Sequence, residues 1–119
     1  MAKAKVLIVD DEEFYSRSLS WLLNDEGYDV RTAATGAAAI DEARQFGPDI
    51  LVVDWILRGG IDGVEVARRL RAARPDIKTI FVTGYAGSEL REHIGADLPA
   101  TILEKPFGPE DLLSALRAG

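Results

Sequence analysis

The chain has 119 residues, no cysteine, a single histidine (His93) and a net charge of −6 from 20 acids and 14 bases. One domain of ordinary folded composition is expected, at 47% hydrophobic and 29% charged residues. Disulfides, thiol catalysis, thiolate metal centres and two-histidine metal sites are excluded, and the acidic balance argues against direct nucleic-acid binding.

The apolar pattern alternates between two periods. Val6-Leu7-Ile8-Val9 is an unbroken apolar run stopped by Asp10-Asp11. A helical stripe of Phe14, Ser18, Leu19, Leu22 and Leu23 follows, with Gly27 as its terminator. Residues 28–33 form a weaker strand. Thr35 is placed to cap an alanine-rich helix with Ala39, Ile40 and Ala43 inward, ended by Gly47-Pro48. Ile50-Leu51-Val52-Val53 is stopped by Asp54. Val64, Ala67 and Leu70 mark a third helix before Pro75. Thr79-Ile80-Phe81-Val82 is stopped by Thr83-Gly84. Residues 88–94 make a short, weak helix. Ala100-Thr101-Ile102-Leu103 runs into Glu104-Lys105-Pro106, and Pro109 opens a last helix with Leu112, Leu113 and Leu116 inward. Short unbroken apolar runs suit parallel strands buried on both faces. Five strands alternating with five helices predict an α/β, doubly wound five-stranded parallel sheet with helices on both faces. No apolar run reaches the length of a membrane span, and Met1-Ala2-Lys3-Ala4-Lys5 lacks the apolar stretch of a signal peptide. A cytoplasmic location with no membrane partner is expected.

In such sheets ligands bind beyond the carboxyl ends of the strands. Those ends carry Asp10 and Asp11, Asp54, Thr83 and Lys105. Each alone has an ordinary explanation: Asp11 as a helix cap, Thr83 bonding its own turn, Lys105 in solvent. Together they suggest chemistry. Two carboxylates about 4.5 Å apart repel by about 4 kcal/mol at an effective dielectric near 20, so the cluster takes up protons or a cation. Oxygen-only ligands suit Mg²⁺, with Mn²⁺ as the alternative. A divalent ion, a lysine and a hydroxyl around one aspartate suit phosphoryl transfer onto Asp54 as an acyl phosphate. The same crowding makes Asp11→Ala an expected stabiliser of the metal-free fold.

The segments Val6-Leu7-Ile8-Val9-Asp10-Asp11-Glu12, Leu51-Val52-Val53-Asp54, Asp62-Gly63-Val64-Glu65-Val66, Ile80-Phe81-Val82-Thr83-Gly84 and Lys105-Pro106-Phe107 resemble, in order and over nearly the whole chain, a response-regulator receiver domain of the CheY type. The resemblance implies one receiver domain over residues 1–119, with strand order 2-1-3-4-5. It implies Asp54 as phosphoacceptor, and Asp10, Asp11, Asp54 and the backbone carbonyl of Ile56 as Mg²⁺ ligands, Asp10 largely through water. Thr83 and Lys105 would bind phosphoryl oxygens, and the Lys105–Pro106 peptide would be cis. It implies a sensor histidine kinase or a histidine phosphotransfer protein as donor, and a downstream protein target or output domain as receiver of the signal. Catalysis would be confined to the domain's own phosphorylation and dephosphorylation. The chain is expected to be either a stand-alone regulator or a receiver from a longer protein.

Three departures stand out. Ile102 occupies the position where the family usually has Tyr or Phe as a rotating switch, and isoleucine is stiff at χ1. Switching is therefore expected in the loop after Thr83 and the weak fourth helix, with Tyr85 as the moving aromatic and the α4–β5–α5 face as output. Arg58 stands where many receivers have Pro, followed by Gly59-Gly60; it is expected in solvent or against a kinase. His93 is expected as a surface residue. The competing readings are a non-phosphorylated receiver-like adaptor and a haloacid-dehalogenase-like phosphatase. The phosphatase needs Asp-x-Asp where this chain has Asp10-Asp11. A flavodoxin is disfavoured by the absence of a Ser/Thr-rich loop after the first strand.

Overall fold

In the computed structural model, residues 3–84, 87–96 and 98–118 are described. In chain order the elements are β1 (Lys5–Val9), α1 (Glu13–Asp25), β2 (Asp29–Ala33), α2 (Gly36–Phe46), β3 (Ile50–Asp54), α3 (Gly63–Ala73), β4 (Lys78–Thr83), α4 (Gly87–Ile94), β5 (Thr101–Glu104) and α5 (Pro109–Arg117). All strand pairs are parallel and the sheet order is β2-β1-β3-β4-β5. The doubly wound sheet expected from the alternating pattern is thus present, with element boundaries shifted by about a residue. Tyr28 lies outside β2 although buried, and β5 is one residue later than the apolar run suggests. Lys105 N–H donates to the Thr83 carbonyl at 2.7 Å, which extends the β4–β5 pairing to the end of the sheet.

Alternation along the buried strands builds two cores. Leu7, Val9, Leu51, Val53 and Phe81 face α2, α3 and α4, where Ala39, Val64, Val66, Ala67, Leu70, Leu90 and Ile94 pack on them. Val6, Ile8, Ile50, Val52, Ile80 and Val82 face α1 and α5, against Leu19, Leu23, Leu112, Leu113 and Leu116. β3 is buried along its entire length, Asp54 included, because it is central and covered on both faces.

The helix ends follow local chemistry. Thr35 accepts Ala38 N–H at 3.1 Å and caps α2, and Asp62 accepts Glu65 N–H at 3.0 Å and caps α3. Gly47 ends α2 in the left-handed region, at φ 64. Gly63 is required by a close approach: a Cβ there would stand 2.0 Å from the Asp54 carbonyl oxygen.

One helix face differs from expectation. The inward stripe of α1 runs through Ser16, Leu19 and Leu23. Phe14 is 84% exposed and Trp21 72% exposed, seven residues apart on the outer face. At 3.6 residues per turn Phe14 lies about 140° to 180° around the helix from Leu19 and Leu23, so it and Ser18, both expected inward, face away from the sheet.

Candidate functional site

The carboxyl ends of β1, β3, β4 and β5 bring the expected residues to one edge. Asp10 follows β1 and is 2% exposed. Its N–H donates to the Ala33 carbonyl at 3.1 Å, while its Oδ1 accepts Glu12 N–H at 2.9 Å. The helix-entry role expected of Asp11 therefore belongs to Asp10. Asp54 ends β3, and its Oδ1 accepts Ile56 N–H at 3.3 Å. Asp10, Asp11 and Asp54 each place a carboxylate oxygen within 4.8 Å of the others.

Lys105 ties two of them together. Its ammonium donates to Asp10 Oδ2 at 3.2 Å and to Asp54 Oδ2 at 3.3 Å. It also stands 4.2 Å from the centre of the Tyr15 ring, a cation–π contact. Tyr15 meets Phe107 edge-on, with centroids 6.2 Å apart. Burial pushes the Tyr15 hydroxyl up to about 12, with the nearby carboxylates adding to the rise and Lys105 opposing it. Tyr15 was not singled out from the sequence. Its signal is position: four residues after Asp11, in the first turn of α1, on the side facing the strand ends.

Electrostatics separate the three acids. Burial is the largest influence on Asp54 and raises its carboxyl; Lys105 opposes and Asp10 adds to the rise. Asp11 moves the other way. Burial would raise it, but hydrogen bonds and charge from Arg58 outweigh that and hold it below its ordinary value. Arg58 Nε donates to Asp11 Oδ2 at 2.9 Å and its backbone N–H to the same oxygen at 3.2 Å. Arg58 is thus folded back onto Asp11 rather than standing free in solvent. The crowding argument for Asp11→Ala consequently fails, because Asp11 already has a counter-cation; the destabilised acid is Asp54.

Thr83 ends β4 fully buried, one residue past the Val82 that pairs with Asp54. The Lys105–Pro106 peptide is cis. Ile56 contributes its backbone to the loop after Asp54, with its side chain 45% exposed. Ile102 is half-buried and packs on the α2–α3–α4 side of the core. Tyr85 lies outside the described residues. His93 is surface-exposed, tilted on Trp55 with ring centroids 5.6 Å apart, and its Nε2 is 3.8 Å from Asp62 Oδ2.

The donor set suits a hard divalent ion. It offers carboxylate oxygens, no sulfur and no imidazole, and one of its acids is raised by burial despite an adjacent ammonium.

Comparison with known proteins bears on the family and the fold. The sequence model of the response regulator receiver domain matches residues 6–117. Among solved structures, the chain is similar to chemotaxis protein CheY4 of Vibrio cholerae, at TM-score 0.86 and 33% identity over 98% of each chain. Among curated relatives, it is 32% identical to the response regulator receiver protein CpdR of Brucella abortus, covering 94% of this chain and 92% of that protein. It is 36% identical to the sensory transduction protein RegX3 of Mycobacterium tuberculosis over 95% of this chain but 49% of that protein. It is 34% identical to the sensor kinase CckA of Brucella abortus over 96% of this chain and 12% of the kinase. The chain thus spans half or less of several relatives it matches. A doubly wound sheet in the order 2-1-3-4-5, three clustered aspartates of which two are bridged by a strand-end lysine, and a family match over nearly the whole sequence converge: the chain belongs to the response regulator receiver domain family of two-component signalling.

Proposed function

We propose that residues 1–119 act as one receiver unit that accepts a phosphoryl group on Asp54. The supporting observation is the Lys105 ammonium held between Asp10 and Asp54, with Asp11 alongside. In the reaction a carboxylate oxygen of Asp54 attacks the donor phosphorus. The bond from phosphorus to the donor's histidine nitrogen breaks, and its electron pair leaves with that nitrogen. Lys105 then pairs with a phosphoryl oxygen and the Thr83 hydroxyl donates to another. Asp10, Asp11, Asp54 and the Ile56 carbonyl would hold Mg²⁺, or Mn²⁺, which when bound neutralises charge on the transferring group. The domain catalyses only its own phosphorylation and dephosphorylation.

The donor is a sensor histidine kinase or a histidine phosphotransfer protein, and the location is cytoplasmic. Exposed Phe14 and Trp21 lie on the outer face of α1, which begins beside Asp11, and offer an apolar surface a protein donor could cover. The output is a protein target or an attached output domain; the charge of −6 disfavours direct binding to nucleic acid. Among the described residues no helix is long and apolar enough to cross a membrane.

Switching acts on the α4–β5–α5 face through Thr83 and the segment after it. Ile102 has no ring to swing. The α4 helix is only 8 residues long. Its first N–H, at Gly87, donates to the Glu104 carboxylate on β5. Displacement of that short helix, with Tyr85 in its lead-in, replaces the ring flip.

Acetyl phosphate with Mg²⁺ should add one phosphoryl mass, acid-stable and alkali-labile, to the native chain and none to Asp54→Asn. Equal labelling of the variant would reject Asp54. No labelling of the native chain would favour the adaptor reading.

A further inference from the structure

We propose that Arg58 is a resident cation on Asp11 that a divalent ion must displace, so that metal entry and release of residues 58–60 are one event. The inference rests on the metal-dependent reading of the site and concerns what occupies that site beforehand.

Two donors from one residue converge on one oxygen. Arg58 Nε and Arg58 N–H both reach Asp11 Oδ2, at 2.9 and 3.2 Å. This is the one of the three carboxylates that Lys105 does not contact within hydrogen-bonding distance; Lys105 bonds Asp10 and Asp54. The site therefore carries two internal cations for three acids. The guanidinium is on a side chain 82% exposed, so no packing holds it there and the carboxylate itself is what it binds.

The loop is built to let go. Arg58 is followed by Gly59 at φ 75 and Gly60 at φ 132, and a Cβ at either would meet nothing within 4 Å. Such backbone has room and freedom to re-form. The loop's far end is fixed, because Gly63 N–H donates to the Trp55 carbonyl at 2.8 Å and Asp62 caps α3. Leu57 is buried in the core and Ile61 packs against it, so only residues 58–60 between them are free to shift. A divalent ion ligated by Asp11 brings a second cation onto the carboxylate that Arg58 holds, and two cations in contact with one carboxylate repel.

The test is Mg²⁺ binding to the full chain by calorimetry, paired with NMR of the Arg58 side-chain Nε–H, which the Arg58→Ala variant assigns. Arg58→Ala should tighten the Kd for Mg²⁺ by about two- to five-fold, the range of an exposed pair. Arg17→Ala, which removes an equal charge that pairs with Glu13 on the outer side of α1, should change it much less. In the metal-free chain the Arg58 Nε–H should exchange slowly and shift to the position of free arginine on Mg²⁺ saturation. An unchanged Kd in Arg58→Ala, equal tightening in Arg17→Ala, or an Nε–H signal unmoved by saturating Mg²⁺ would each overturn the proposal while leaving the metal site standing. Absence of Mg²⁺ binding in every variant would overturn the metal-dependent reading itself and this inference with it.

Discussion

Replacing Asp54 by asparagine should stabilise the metal-free protein. The amide keeps the shape and an oxygen for the Ile56 N–H now at 3.3 Å, but removes a charge. Lost is the attraction to Lys105 at 3.3 Å, about 5 kcal/mol at an effective dielectric of 20. Removed with it is repulsion from Asp10, whose oxygen lies within 4.8 Å, about 3.5 kcal/mol on the same scale. Asp11 adds little because Arg58 neutralises it. The pair sum favours the carboxylate by about 1.5 kcal/mol, from those two figures. Against it stands desolvation of a side chain only 12% exposed, an effective cost of several kcal/mol per ion. The direction of the Asp54 shift, raised chiefly by burial, says that desolvation wins.

We expect Asp54→Asn to gain about 1 kcal/mol, or about 3–5 °C in Tm. The sign with pH follows from linkage. A carboxyl raised in the fold favours folding while protonated. That contribution is fully present below its unfolded value near 3.8 and is lost as pH rises through the folded value. The advantage of asparagine should therefore be full at pH 7.5 and shrink as pH falls through the raised value. Mg²⁺ at about ten times its Kd adds about 1.4 kcal/mol to the native chain and less to a variant lacking one carboxylate, so the gap should close or reverse. Thermal melts in EDTA and in Mg²⁺ read all of this. If Asp54→Asn melts below the native chain in EDTA at pH 7.5, the Lys105 pair outweighs burial and the argument is wrong.

Gly63→Ala should cost at least about 3 kcal/mol, because its Cβ would collide with the backbone at Asp54 and Trp55, which cannot swing aside; denaturant melts measure it. Tyr15→Leu should slow acetyl-phosphate labelling about five-fold, a loss of about 1 kcal/mol of cation–π support for Lys105, while Tyr15→Phe keeps the rate. In a spectrophotometric titration the Tyr15→Phe variant should lack the phenol that ionises near 12. Thr35→Ala should cost about 1 kcal/mol by uncapping α2, with labelling of Asp54 unchanged.

The elements and the site edge were legible in the sequence because the sheet is parallel. Strands covered on both faces must be apolar throughout, so Val6-Leu7-Ile8-Val9 and Ile50-Leu51-Val52-Val53 announce themselves, and the first polar residue after each must lie at the carboxyl edge. Asp10, Asp54 and Thr83 stand at those positions, and Asp11 and Lys105 one residue further on. The caps at Thr35 and Pro109 were equally local. Side-chain partnerships across elements were not legible. Arg58 and Asp11 are 47 positions apart, and an arginine in a glycine loop has no local signal for which acid it will meet. The same holds for Tyr15 beneath Lys105, and for the exchange of roles by which Asp10, not Asp11, takes the Glu12 N–H. Phe14 was grouped with an apolar stripe yet faces solvent, because the helical period puts it nearly opposite the Leu19 and Leu23 that α1 buries. Periodicity fixes which face of an element is buried and where it stops. How the charged ends of separate elements pair depends on distances of a few ångströms that arise only when the helices are packed on the sheet, and that packing decided which of the three aspartates is neutralised, which is bridged and which is left raised by burial.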